Sequence, residues 1–176
     1  MRTWSLATSV LVVLAAALVP ASAQPATQPA QPANYIVVPG HAVGDIQIGM
    51  SQQQVLNRMG MPDEISNDRG GDGALNVYWI YPQSERSVFV ISWTKRQGEA
   101  GGVDFIFTDA PRYVTSKGVA MNNSSFKDIL THYGAPERLQ GAGRGSVMLY
   151  YEAQGIRFRV EGDGGRLTAI TVVPRK

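Results

Sequence analysis

The chain has 176 residues, with 16 Lys and Arg against 14 Asp and Glu, 44% hydrophobic residues and no Cys. That apolar content is too high for a disordered chain, and the length suffices for one buried core. Without Cys there is no disulfide scaffold, thiol nucleophile, thiolate zinc site or acylated cysteine anchor. A net charge of +2 leaves no electrostatic footprint for nucleic acid.

In chain order, Arg2 precedes an apolar run from Leu6 to Val19, broken by Pro20 and followed by Ala21-Ser22-Ala23. Small residues at that spacing predict a cleaved signal peptide over residues 1–23, since the run is too short to span a bilayer. The expected mature chain starts at Gln24 and is exported, either periplasmic, with outer-membrane association as one option, or secreted, and unlipidated for want of a Cys. Residues 24–43 read as a Pro/Gln/Ala-rich linker and lead-in, of which Gln24 to Asn34 has no apolar face and is expected to be extended.

From Gly44 onward the chain repeats itself. Gly60-Met61-Pro62 and Gly134-Ala135-Pro136 stand 74 residues apart, and at the same offset Gly44 meets Gly118, Ser51 meets Ser125, and Val55-Leu56 meets Ile129-Leu130. Each half opens with a short helix. Ser51-x-x-Gln54 has capping-box spacing, and Ser125-x-x-Asp128 sets a carboxylate in the first turn, where the helix dipole favours it. Apolar residues at i, i+1 and i+4 form one stripe on each helix, and Gly followed by Pro stops it.

Three strands are predicted after each helix: residues 76–81, 87–94 and 103–108 in the first half, and 147–152, 156–161 and 167–173 in the second. All are rich in aromatic and β-branched residues between turn-rich stretches. Gly162-Asp163-Gly164-Gly165 suits a hairpin. The expected fold is α+β: two tandem αβββ repeats, 44–110 and 111–176, sharing one antiparallel sheet with short helices on one face.

The phrase Ile48-Gly49-Met50-Ser51-Gln52-Gln53-Gln54-Val55, closed by Gly60-Met61-Pro62 and followed by Tyr78-Trp79-Ile80-Tyr81, resembles the SmpA/OmlA domain of BamE-like proteins. The duplication is similar to the β-lactamase-inhibitor-protein (BLIP-like) fold. In the second half Asn122-Asn123-Ser124 replaces Ile48-Gly49-Met50. The chain also departs from BamE-like proteins in lacking a Cys to acylate and in carrying two copies of the unit. What the resemblance implies is a non-enzymatic protein-binding module of the bacterial cell envelope, in the manner of outer-membrane assembly accessories. The alternatives are a BLIP-like inhibitor of a secreted or periplasmic enzyme, using the loops Asn67 to Gly73 or Gly141 to Gly145, and a small lipid or ligand binder.

Catalytic chemistry has little support in the sequence. His41 and His132 stand in different segments without an i, i+4 partner, and no nucleophile elbow, zinc helix or phosphate loop occurs. The Gly-rich stretch 141–145 precedes a strand rather than a helix, and the Asp residues of 67–73 lack calcium-loop spacing. No catalytic residue, metal ligand or cofactor is therefore assigned.

The aromatic residues of the strands carry the functional expectation. Alternation puts Val77, Trp79 and Tyr81 on one face of their strand and Tyr78 and Ile80 on the other; Phe89, Ile91 and Trp93 likewise share a face. A sheet covered by helices on one side needs only one apolar face. The second is either extra core, covered by the other repeat or by the Tyr35 to Val38 segment, or an open patch. If open, its anchors are Trp79, Tyr81, Trp93 and Tyr151. Arg157 and Arg159, which alternate with Ile156, Phe158 and Val160, would then act as polar specifiers for an envelope protein or for anionic lipid headgroups.

Overall fold

The computed structural model describes residues 34–69, 74–84, 87–95 and 101–176. The predicted signal peptide and most of the linker lie outside the described residues, as does the 70–73 end of the Asn67 to Gly73 loop. The described residues belong to one compact unit, so the two predicted segments 44–110 and 111–176 share a single body. Among the described residues no helix is long and apolar enough to cross a membrane.

Two α-helices of eight residues, α1 (Gln52–Met59) and α2 (Phe126–Tyr133), begin in the same way. The Ser51 hydroxyl accepts the Gln54 N–H (3.3 Å) while the Gln54 side-chain oxygen accepts the Ser51 N–H (2.9 Å). Ser125 and Asp128 make the same pair of bonds at 3.3 and 2.8 Å, so the carboxylate expected to answer the dipole also closes a capping box. Both helices end on a glycine with nearly identical backbone angles, φ 77, ψ −165 at Gly60 and φ 79, ψ −164 at Gly134. This is not the left-handed helical well expected for a helix-ending glycine but the neighbouring region essentially restricted to Gly.

The helices pack on an eight-stranded antiparallel sheet. Its first half is β4 (Glu64–Arg69), β5 (Leu75–Ser84), β6 (Ser87–Lys95) and β7 (Val103–Thr108). The second is β9 (Arg138–Gly141), β10 (Ser146–Tyr151), β11 (Ile156–Glu161) and β12 (Arg166–Val172). In space the order is β4-β5-β6-β7-β12-β11-β10-β9, so β7 and β12 meet at the centre and β4 and β9 form the two edges. The chain is thus α+β and dominated by strand. Each helix is followed by four strands of this sheet rather than the three expected. The additional strands are the edges, whose residues are exposed throughout and carry no alternation of burial. The stretch Asn67 to Arg69, read as loop, is the end of β4. Gly141 ends β9, and residues 142–145 turn back into β10.

A smaller four-stranded sheet was not anticipated. It joins β1 (Ile36–Val38), β2 (Ala42–Val43), β3 (Ile46–Gln47) and β8 (Val114–Thr115) in the order β3-β2-β1-β8, with β1 parallel to β8. The lead-in, at residues 36–37, therefore pairs with residues 114–115 at the start of the second half. Val37, Val43 and Ile46 join the core formed by Val55, Trp79, Phe89, Trp93, Ile129 and Phe158. Gly155 fastens this sheet to the large one. Its carbonyl accepts the N–H groups of Gly40 and Val173 (both 3.0 Å), and a Cβ there would stand 2.4 Å from the Gly40 Cα. Both the helices and the small sheet thus cover the same side of the large sheet.

Candidate binding face

Directly opposed residues of an antiparallel ladder share a face, so the register sorts every strand residue into covered or open. Trp79 lies opposite Ile65 and Ile91, and Tyr151 lies opposite Ile156; these residues belong to the covered side. Trp93 is 0% exposed, Tyr151 1%, Tyr81 5% and Trp79 7%. The expectation that these four rings are partner-binding anchors is corrected: they are core. Trp79 and Trp93 pack at 4.5 Å between ring centroids, and the Trp93 indole N–H donates to the Met50 carbonyl (3.4 Å). Tyr151 packs on Tyr133 and Phe158, and burial, with Tyr133 nearby, pushes its pKa up to about 12. Helices and the small sheet need an apolar surface beneath them, and these rings supply it.

Arg157 and Arg159 do reach the open side. There the register draws one row across all eight strands: Glu64, Ile80, Val90, Phe107, Thr171, Arg157, Tyr150 and Arg138. Each is cross-strand neighbour to the next. Glu64 and Arg138 at the two ends are exposed, and the row between them is half-buried except for the buried Thr171. Met148 beside Arg159 and Phe105 beside Ser92 extend the apolar middle on either side.

The basic end is built around one ring. The Arg138 guanidinium stacks 3.6 Å from the Tyr150 ring centroid and that of Arg157 lies 5.2 Å from it, so one ring holds two cations by its electron-rich π face. The Gln140 side-chain oxygen accepts hydrogen bonds from both Arg138 (2.9 Å) and the Tyr150 hydroxyl (3.0 Å). Arg157 is paired with Glu152 at 2.9 Å and Arg159 with Glu161 at 2.8 Å.

The other end is acidic. Asp68 accepts hydrogen bonds from Asn76 (2.8 Å) and the Tyr78 hydroxyl (3.3 Å). Thr94 bridges Asn76 (3.1 Å) and Asp104. Tyr78 has its pKa raised by burial first and then by the charge of Asp68, so its phenol stays protonated and donates.

Arg138, Tyr150, Ile80, Val90 and Phe107 were not singled out from the sequence, although a signal for them exists. In β11 the alternation of Ile156, Phe158 and Val160 with Arg157 and Arg159 already shows which side is wet. Carrying that register through the hairpin to β10 pairs Tyr150 with Arg157 and turns Tyr151 inward. His41 and His132 are both exposed and belong to neither face's organisation. Among the described residues no group of three or more His, Asp or Glu lies close enough to hold a metal ion. What the open face offers is apolar contact area, two preorganised guanidiniums and a carboxylate rim, a set suited to recognition.

No family model matches the chain, and no curated protein matches it. Among solved structures, a DUF4309 family protein (YjgB) from Bacillus subtilis is similar over 71% of this chain and 78% of that chain, with 10% sequence identity and a TM-score of 0.45. At that level the likeness transfers neither fold nor function.

Proposed function

We propose that this chain is an exported, non-catalytic protein-binding module of the bacterial cell envelope, related to outer-membrane assembly accessories of the BamE-like kind. In this reading it is a tandem duplication of an SmpA/OmlA-like unit in a BLIP-like arrangement. The two matching capping boxes, 74 residues apart, and their matching Gly ends support that ancestry. The observation that carries the function is the open row from Glu64 to Arg138. A folded domain that keeps Ile80, Val90, Phe107, Met148 and Tyr150 together on a sheet face that no other described element covers retains a surface suited to a partner.

The site thus moves from the buried tryptophans to the opposite side of the same strands. Affinity capture from envelope extract tests it, with wild type and an Ile80→Asp variant as paired baits. Retention of an outer-membrane assembly component by wild type alone, with both baits equally folded by circular dichroism, is the expected result. Equal retention by both baits would remove the open face as the site, and retention of no such component would remove the assembly-accessory reading.

The inhibitor reading has one observation in its favour. Arg144 stands in the exposed 142–145 turn with φ 47, a conformation that non-Gly residues rarely adopt. Absence of inhibition of β-lactamase at micromolar protein would retire that enzyme as its target.

A further inference from the structure

We propose that the open sheet face closes on the same face of a second copy of this chain, across a two-fold axis running along the strands between β7 and β12. The proposal rests on the reading of that face as a protein-binding surface and names its occupant.

The row across the eight strands is self-complementary. A two-fold axis along the strands exchanges the ends of the row, because it lays β4 of one copy over β9 of the other. Glu64 then faces Arg138 of the other copy, Ile80 faces Tyr150, Val90 faces the stem of Arg157, and Phe107 faces Thr171. Opposite charges meet at both rims, and apolar residues meet between them. Arg157 and Arg159 enter already paired with Glu152 and Glu161, so neither guanidinium is buried without a counter-charge.

The area suffices. Eight strands about 4.8 Å apart and about five residues deep present roughly 650 Å² per copy. Doubled, this gives about 1,300 Å², within the range of specific interfaces. Facing sheets of twisted strands pack about 10 Å apart with directions within about 30°, a geometry open to two identical faces.

Edge pairing is the other way two copies could join, and β4 opposes it. Residues on one face of a ladder must oppose each other, so Glu64 and Asp68 would meet each other or Ser66 across a β4–β4 contact. Registers that set Glu64 against Asp68, or either against its own copy, oppose like charges and are disfavoured.

Sedimentation of the full chain, purified in the form the cell leaves it, between about 1 and about 200 µM at low salt, reads the association directly. A concentration-dependent shift to twice the chain mass is expected. Glu64→Arg and Arg138→Glu change exposed residues at the two rims, and circular dichroism checks that each variant folds. Each alone weakens association about tenfold or more, because both symmetry-related pairs become repulsive. An equimolar mixture of the two restores it, since the mixed dimer regains Arg opposite Glu at both rims. A wild type that stays monomeric at the highest concentration overturns the proposal. So does a dimer indifferent to either swap, or a mixture that fails to recover. A monomer that still captures an envelope component lost on Ile80→Asp overturns the second copy as occupant while leaving the binding face intact.

Discussion

Tyr81 and Tyr151 do the same job in the two halves of the chain. The Tyr81 hydroxyl donates to the Gly60 carbonyl at 3.1 Å, and the Tyr151 hydroxyl donates to the Gly134 carbonyl at 2.9 Å. In each half a core tyrosine on the sheet therefore satisfies the carbonyl of the glycine that ends the helix, one of the groups a helix leaves without an internal partner. The helices are too short to persist alone, and this bond ties each helix end to the strand beneath it.

Removing the hydroxyl and keeping the ring isolates that bond. Tyr81→Phe and Tyr151→Phe should each lower stability by about 1 kcal/mol, the usual net worth of one hydrogen bond. Urea denaturation reads the midpoint, and an unchanged slope would show that the core is otherwise intact.

The helix-ending glycines make a sharper test of backbone conformation. Nothing lies within 4 Å of a Cβ built at Gly60 or Gly134, so steric room cannot explain Gly there. Their backbone angles can. Gly60→Ala and Gly134→Ala should each cost about 1–3 kcal/mol despite the open space, with the loss read from chemical denaturation. A neutral result at either position would mean that the chain relaxes into another cap.

Much of this was legible in the sequence because the signals are local. Ser, Gln or Asp, and Gly stand at fixed short separations, and the physics that makes a cap or a stop acts over the same few residues. The edge strands were not legible. Glu-Ile-Ser-Asn-Asp-Arg and Arg-Leu-Gln-Gly are wet on both sides, and even Ile65 and Leu139 are each 55% exposed. Such strands exist because β5 and β10 offer unpaired backbone, which leaves no periodic mark. The side of the sheet was only half legible. Alternation shows which residues share a face, but in β5 both faces are apolar, so Trp79 against Tyr78 could not be ranked without the register to β11. The small sheet depends on residues 36–38 meeting residues 114–115, a long-range parallel pairing with no local signature.

Trp93 should behave as core and not as contact surface. It has no exposed area, stacks on Trp79 and donates its indole N–H inward. Trp93→Ala should cost about 3–5 kcal/mol by removing that volume. The double variant with Trp79→Ala should lose the native far-ultraviolet circular dichroism spectrum, which reads the backbone and not the deleted rings. Retention of that spectrum with an unchanged urea midpoint would show that the two indoles add little to the stability of the core.

The last prediction uses the one chemical difference between the two caps. At the third helical position α1 has Gln54, which cannot titrate, and α2 has Asp128, whose carboxylate accepts the Ser125 N–H. That backbone bond, followed by the Ser125 hydroxyl, lowers the Asp128 pKa from its ordinary 3.8. A depressed carboxylate in the folded state means that the unfolded chain takes up the proton first as pH falls. The contribution is therefore complete above the unfolded value and is lost as pH drops through the folded one. The gap in urea midpoint between wild type and Asp128→Ala should be constant above about pH 5 and should narrow below pH 3.8. Asp128→Gln copies the first helix. It should preserve the capping box at pH 7 and flatten the acid response of α2, because an amide oxygen accepts the same bond without a proton to gain. An Asp128→Gln variant whose acid response matches wild type would place the titrating group elsewhere in the chain.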